Sequence, residues 1–127
     1  MPSPAFAWQN GSLVAWKDAQ VPIEDRGLPF GESVYEVLPI VAGSPRFLDQ
    51  HIARLRRGLA AIAVELRGQE HAEPDWPALA NTLIKAESID DGYMYIQVTG
   101  GSGERTHAGA PGGSHPNIIA YARPLKF

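Results

Sequence analysis

Residues 33–41, Ser-Val-Tyr-Glu-Val-Leu-Pro-Ile-Val, alternate in a period of two, and few backbones other than a β-strand satisfy that pattern. Val34, Glu36, Leu38 and Ile40 share one face; Ser33, Tyr35, Val37, Pro39 and Val41 share the other. Gly27, Pro29 and Gly31 punctuate the approach and predict a turn that opens into the strand. Both faces mix apolar and polar residues, so burial alone does not account for the strand. Two readings stay open. The turn delivers Tyr35 and Val37 to a site, or the strand is structural and buries its tyrosine hydroxyl.

The flanking segments supply the rest of an α+β domain with a mainly antiparallel sheet and two helices. Residues 5–9 and 12–16 are short apolar runs joined by Asn10-Gly11, a type I′ hairpin signal. Residues 17–23 form a connector. After a turn at Gly43-Ser44, residues 46–48 read as a returning strand, and Pro39 must sit at an edge or bulge because it cannot donate to a ladder. Asp49 reads as an N-cap. Ile52, Leu55, Leu59, Ile62 and Leu66 then recur at helical spacing up to Gly68, a C-terminal stop, with Arg54, Arg56, Arg57 and Arg67 mostly off that stripe. Asp75 caps a second helix through Glu87, with Trp76, Leu79, Leu83 and Ala86 on one side and Pro77 in the tolerant first turn. Residues 93–99 alternate again: Tyr93, Tyr95, Gln97 and Thr99 against Met94, Ile96 and Val98. A glycine-rich loop spans 100–116, and a last apolar strand spans 117–123.

With 127 residues this reads as one domain, long enough to bury about two thirds of its unfolded surface. A net charge of -3 argues against nucleic acid as the main partner. The absence of cysteine rules out disulfides, thiolate nucleophiles and zinc–thiolate sites. No stretch approaches the roughly 18 apolar residues of a membrane span. The N-terminus lacks the basic and apolar regions of a signal peptide, so a cytoplasmic protein is expected.

Three sets of residues could carry chemistry. Arg54, on the first helix, offers a permanently charged planar fork suited to a phosphate; equally it could be one solvated arginine among several. Arg105 and His107, two apart in the glycine-rich loop, could clamp a carboxylate or be incidental loop charges. His107 and His115 make only half a metal-ligand set, so no metal site is expected. Gly101-x-Gly103 lacks the spacing of a dinucleotide fingerprint, and no phosphate-binding Walker loop is present.

Asp25-Arg26-Gly27, Phe30-Gly31 and Val34-Tyr35-Glu36-Val37 together resemble the N-terminal, small domain of the class IV, fold-type IV pyridoxal-phosphate-dependent aminotransferases, and most of all the D-amino acid aminotransferases. Gln50-His51-Ile52-Ala53-Arg54-Leu55 resembles the family segment whose arginine holds the cofactor phosphate, which assigns that role to Arg54 and leaves His51 to packing or hydrogen bonding. Arg105-Thr106-His107 resembles the family's trap for the substrate α-carboxylate, completed by Tyr35. Val37 and Tyr95 would shape the pocket. In the family that trap reaches into a neighbouring subunit, so the resemblance implies a homodimer with shared sites. One departure touches the loop: the family has Thr-Arg-Gly where this chain has Thr99-Gly100-Gly101.

The resemblance also exposes an omission. The family's Schiff-base lysine lies in a second, larger domain, and neither Lys17, Lys85 nor Lys126 matches it. Residues 1–123 would then be an N-terminal domain and 124–127 the start of an interdomain linker, with the lysine domain outside the chain. The implied whole enzyme moves the amino group of a D-alanine-like amino acid to a 2-oxo acid by a ping-pong route. These residues alone would be inactive. Branched-chain aminotransferases and aminodeoxychorismate lyases are the neighbouring alternatives, and a non-catalytic truncated ligand- or partner-binding module is the third.

Overall fold

The computed structural model describes residues 3–66, 72–101 and 116–125. Its strands are β1 (Phe6–Gln9), β2 (Ser12–Ala15), β3 (Ser33–Val41), β4 (Ser44–Pro45), β5 (Gly92–Thr99) and β6 (Ile118–Pro124). Its helices are α1 (Leu48–Ala61) and α2 (Trp76–Glu87), with one 3-10 turn at Trp16–Asp18. The six strands form one antiparallel sheet in the order β2-β1-β6-β5-β3-β4. The expected α+β architecture is present.

Local chemistry explains most of these elements. Asn10 and Gly11 both take positive φ, 48° and 101°, and Gln9 pairs with Ser12 across a two-residue turn. Asp75 caps α2 by accepting from the Ala78 amide at 3.0 Å. Pro39 lies one strand from the open edge. Its carbonyl accepts from the Arg46 amide at 2.9 Å, so its missing N–H faces β4, which is only two residues long.

The first helix differs from expectation at both ends. The chain leaves β4 after Pro45, so residues 46–48 are not a strand. Phe47, in the left-handed region, swings it directly into α1, and Asp49 falls inside the first turn instead of at the N-cap. There it serves as an acid at the positive end of the helix dipole. At the other end α1 stops at Ala61, not near Gly68. The Val64 amide donates to Leu59 and the Ala63 amide to Ala60, a Schellman closure with Ala63 at φ 57°. Ile62 and Leu66 prolong the apolar spacing because, with Val64, they pack on the core from the segment after the helix.

Both helices cover one face of the sheet. Ile52, Leu55 and Leu59 from α1, and Trp76, Leu79, Leu83 and Ile84 from α2, meet Leu38, Ile40, Met94, Ile96, Val98 and Ile118. Each such buried side chain contributes about 1.5–3 kcal/mol over exposure. Ala86 is half-buried, not on the core stripe. Gly58 lets α1 approach β3 closely: a Cβ there would meet the Val34 γ-carbons at 2.9 and 3.1 Å. The opposite face of the sheet carries Tyr35, Val37, Tyr95, Gln97 and Tyr121, and neither helix covers it.

Candidate functional site

Alternation along β3 sets two jobs for three consecutive residues. Glu36 points under α1 and is buried, whereas Tyr35 and Val37 point to the uncovered face and are 60% and 43% exposed. The reading in which β3 buries its tyrosine hydroxyl is therefore overturned. Glu36 is a lone carboxylate among Leu38 and Ile40, and α1 supplies its partners from one turn of helix. Arg54 donates to it through Nε, at 3.1 and 2.9 Å to the two oxygens, and through a terminal amino group at 2.8 Å. His51 Nδ1 lies 2.7 Å from the same carboxylate.

This cluster has a definite electrostatic state. Burial alone would raise the Glu36 carboxyl. Hydrogen bonds from Arg54 and His51, and then their charges, outweigh burial and hold it below the usual carboxylate range. The hydrogen bonds to Glu36, followed by its charge, hold Arg54 still more firmly protonated. The Arg54 side chain nonetheless remains 63% exposed. Glu36 thus fixes one side of the guanidinium, leaving donors on the other side toward solvent, beside the strand that exposes Tyr35 and Val37. A fork held this way can receive an anion without first losing its own side-chain freedom.

The uncovered face is aromatic. Tyr35, Tyr95 and Tyr121 stack across β3, β5 and β6, with ring centroids 5.6 and 5.1 Å apart and planes within 12° and 13°. Trp16 meets Tyr121 edge-on at 5.3 Å. Arg123 lies over both Trp16 and Tyr121. Burial first, and then the adjoining Tyr121 and Tyr35 phenols, push the Tyr95 hydroxyl above the ordinary phenol range, so it is neutral near pH 7.

A third cluster ties the opening turn to the sheet. Asp25 is fully buried and accepts from the Gly27 amide at 2.7 Å, from Thr99 Oγ1 at 2.6 Å and from the Asn117 side-chain amide. Arg26 pairs with Glu32 and lies over the Phe30 ring. The turn is thereby fastened to the two strands that flank residues 102–115. Gly100 suits this arrangement, because a Cβ there would sit 2.7 Å from the Glu32 carboxyl carbon.

Of the residues expected in a site, the structure brings Tyr35, Val37 and Tyr95 onto one face and sets Arg54 against the residue between the first two. Arg105, His107 and His115 lie outside the described residues. Among the described residues no group of three or more His, Cys, Asp or Glu could hold a metal ion, and no helix is long and apolar enough to cross a membrane. Lys17 and Lys85 are exposed. Sequence reading missed Glu36 as the anchor of Arg54. The available signal was a solitary acid on an otherwise apolar strand face, which requires a cationic partner. Tyr121 was also missed; its place in the stack depends on the β5–β6 register.

A family model described as class IV amino-transferase matches residues 33–127. The D-alanine aminotransferase of Bacillus licheniformis is 38% identical over 118 residues, covering 92% of this chain and 40% of that protein. That of Staphylococcus aureus strain MSSA476 is 30% identical over 114 residues, with 90% and 39% covered. Among solved structures, an Escherichia coli branched-chain amino acid aminotransferase superposes with a TM-score of 0.83 at 20% identity, covering 97% of this chain and 42% of that one. A Pseudomonas aeruginosa 4-amino-4-deoxychorismate lyase gives 0.66 at 30% identity, with 94% and 40% covered. The chain spans about two fifths of the length of the curated relatives it matches. Since the matched span holds β3, both helices and the strands that carry the tyrosine stack, the chain belongs to the class IV aminotransferases.

Proposed function

We propose that these residues are the N-terminal half of a pyridoxal-phosphate-dependent transaminase that moves the amino group of a D-alanine-like amino acid to a 2-oxo acid. The observation that carries this is the Arg54 guanidinium, braced by buried Glu36 and His51 at the strand that exposes Tyr35 and Val37. The donor set fits a phosphate dianion: a permanent cation, a planar fork and an exposed outer side. Pyridoxal phosphate, the cofactor of this family, supplies an electron sink for the labile bonds of the amino acid when bound.

In this reading Arg54 holds the phosphate, and Glu36 and His51 hold Arg54. The Tyr35 hydroxyl donates to the substrate α-carboxylate, with Arg105 and His107 completing that clamp from a second copy in a homodimer. Val37 and Tyr95 wall the side-chain pocket. The lysine amine that carries the cofactor and moves the proton is, in this reading, contributed by sequence outside these residues, which span only about two fifths of the curated relatives. Residues 1–123 act as the small domain, 124–127 are the start of an interdomain linker, and the enzyme works in the cytoplasm. The D-alanine aminotransferases that align along nine tenths of the chain favour a D-amino acid.

The lyase at 30% identity supports a second reading, 4-amino-4-deoxychorismate lyase chemistry. A panel of D- and L-amino acids with 2-oxoglutarate, and of aminodeoxychorismate, given to the protein expressed from the complete gene separates them. D-alanine turnover is expected. Turnover confined to branched-chain L-amino acids, or pyruvate release from aminodeoxychorismate alone, overturns the proposal.

A further inference from the structure

Asp25 carries a fully buried carboxyl whose hydrogen bonds go neither to the Arg54 cluster nor to the tyrosine stack. Its three donors come from three segments. The Gly27 amide, in the opening turn, donates at 2.7 Å, and Thr99 Oγ1, at the end of β5, donates at 2.6 Å. The third is the side-chain amide of Asn117, just before β6. Asn117 is not free to turn that amide over. Its Oδ1 accepts from Asn10 Nδ2 at 3.0 Å, while Asn10 Oδ1 accepts from the Ile118 amide at 2.7 Å. The backbone of the turn grips the same place. The Arg26 amide donates to the Gly101 carbonyl at 2.9 Å, and the Gly100 amide to the Glu32 carbonyl at 2.7 Å. A Cβ at Gly27 would meet Asp25 Oδ1 at 2.9 Å and Thr99 Cγ2 at 3.1 Å, so the turn lies flush on both.

The sheet does not need this carboxyl to hold together. β5 and β6 already pair from Gly92 with Pro124 to Val98 with Ile118. Buried polar clusters are often replaceable by well-packed apolar residues at no loss of stability. What a carboxyl supplies, and an apolar contact does not, is direction: each oxygen fixes where its donors stand. Two of the donors, Thr99 and Asn117, are the points at which the chain leaves β5 and rejoins β6. Residues 102–115 lie outside the described residues, but both of their roots lie within them. Asp25 sets how those roots sit against the turn that opens into β3.

We propose that Asp25 is a positioning residue for binding of the substrate α-carboxylate. It touches no substrate. By holding Thr99 and Asn117 against the turn, it fixes where the interval that bears Arg105 and His107 begins and ends. The proposal rests on the transaminase reading, in which that pair clamps the α-carboxylate. The amino donor and the 2-oxo acceptor both carry this group, so loss of Asp25 should weaken both substrates alike. Arg54 stands on α1 and makes no bond to the cluster, so cofactor binding should not follow.

Asp25→Asn turns an amino group toward the Thr99 and Asn117 donors and leaves them without an acceptor. In the protein expressed from the complete gene, KM for D-alanine and KM for 2-oxoglutarate should each rise about tenfold, with kcat and pyridoxal phosphate affinity within about twofold of wild type. Adding Asn117→Asp exchanges carboxyl and amide across the same bond and should recover most of both KM values. If Asp25→Asn does not fold, Thr99→Val removes one donor at nearly constant shape and should raise both KM values about threefold. Unchanged KM values, a rise for one substrate only, a matching loss of cofactor affinity, or no recovery on exchange would each overturn the proposal and leave Asp25 a structural link.

A second readout is independent of catalysis. Asp25→Asn or Thr99→Val should speed hydrogen exchange at the Gly27 amide, and Thr99→Val also at the Gly101 amide, which donates to Thr99 Oγ1 at 3.1 Å. Exchange unmoved in both variants would overturn the cluster whatever the protein catalyses. Faster exchange in a protein whose wild type turns over no D-alanine would instead overturn the transaminase reading, and the positioning role with it.

Discussion

Gly58 sits where α1 comes down on β3, and replacing it should move the candidate phosphate arginine. A Cβ at 58 would lie 2.9 and 3.1 Å from the Val34 γ-carbons, at least about 0.4 Å inside the ~3.5 Å at which carbon atoms touch comfortably. Val34 packs against the core and has little room to turn away. In a freestanding helix, Gly→Ala gains ~1 kcal/mol of helix propensity. Overpacking a fitted contact costs about 1–3 kcal/mol. Gly58→Ala should therefore destabilise the chain by roughly 0–2 kcal/mol, not stabilise it. Arg54 and His51 lie one and two turns before Gly58, so a helix displaced from β3 also loosens their grip on Glu36. Affinity of the protein expressed from the complete gene for pyridoxal phosphate should fall about three- to tenfold. Adding Val34→Ala should restore it by returning the lost space. Urea unfolding followed by circular dichroism, with a cofactor titration, measures both effects. A Gly58→Ala protein more stable by ~1 kcal/mol with unchanged cofactor affinity would refute the reasoning.

Three further outcomes follow from the same geometry. Arg54→Lys should weaken pyridoxal phosphate binding about tenfold by calorimetry, because a single ammonium cannot satisfy both Glu36 and a phosphate; equal affinity would mean Arg54 is only a solvated helix residue. The Glu36 carboxyl is held below its unfolded value, about 4.3. It therefore adds stability above that pH and loses it as pH falls through the native value. The urea midpoint of wild type should exceed that of Glu36→Gln at pH 7, with the gap narrowing as pH falls below the unfolded value of about 4.3; a gap that did not narrow at all on acidification would remove the charge from the explanation. Ala63 occupies a left-handed position that glycine takes without strain, so Ala63→Gly should raise stability by about 0.5–1 kcal/mol, and a loss of stability in thermal unfolding would contradict the Schellman closure.

Much of the fold was legible because short-range chemistry decides it. Asn10-Gly11 admits one kind of hairpin, Asp75 is a cap within its own turn, and the alternation of β3 and β5 sorts their faces without knowledge of the partners. The start of α1 was not legible, since it turns on Phe47 adopting a conformation that costs an aromatic residue energy and that no local propensity favours. Its end was obscured because Ile62 and Leu66 bury apolar surface while keeping helical spacing after the helix has closed. In the candidate site, Tyr35, Val37, Arg54 and Tyr95 were identified by resemblance, and their joint placement depends on sheet register. Glu36 and Tyr121 were missed because their partners lie on other elements: Arg54 meets Glu36 across 18 residues, and Tyr121 meets Tyr95 across the β5–β6 pairing. Arg105 and His107 lie outside the described residues, so the carboxylate clamp remains part of the proposal.

The central claim is that Arg54 and the tyrosine face form half of an active site whose lysine comes from sequence outside these residues. Borohydride reduction of the protein expressed from the complete gene, in the presence of pyridoxal phosphate, followed by peptide mapping, tests it most directly. The account predicts a single phosphopyridoxyl label on a lysine beyond residue 127, lost together with D-alanine turnover when that lysine is replaced. A label on Lys17, Lys85 or Lys126, or no label at all, would contradict it.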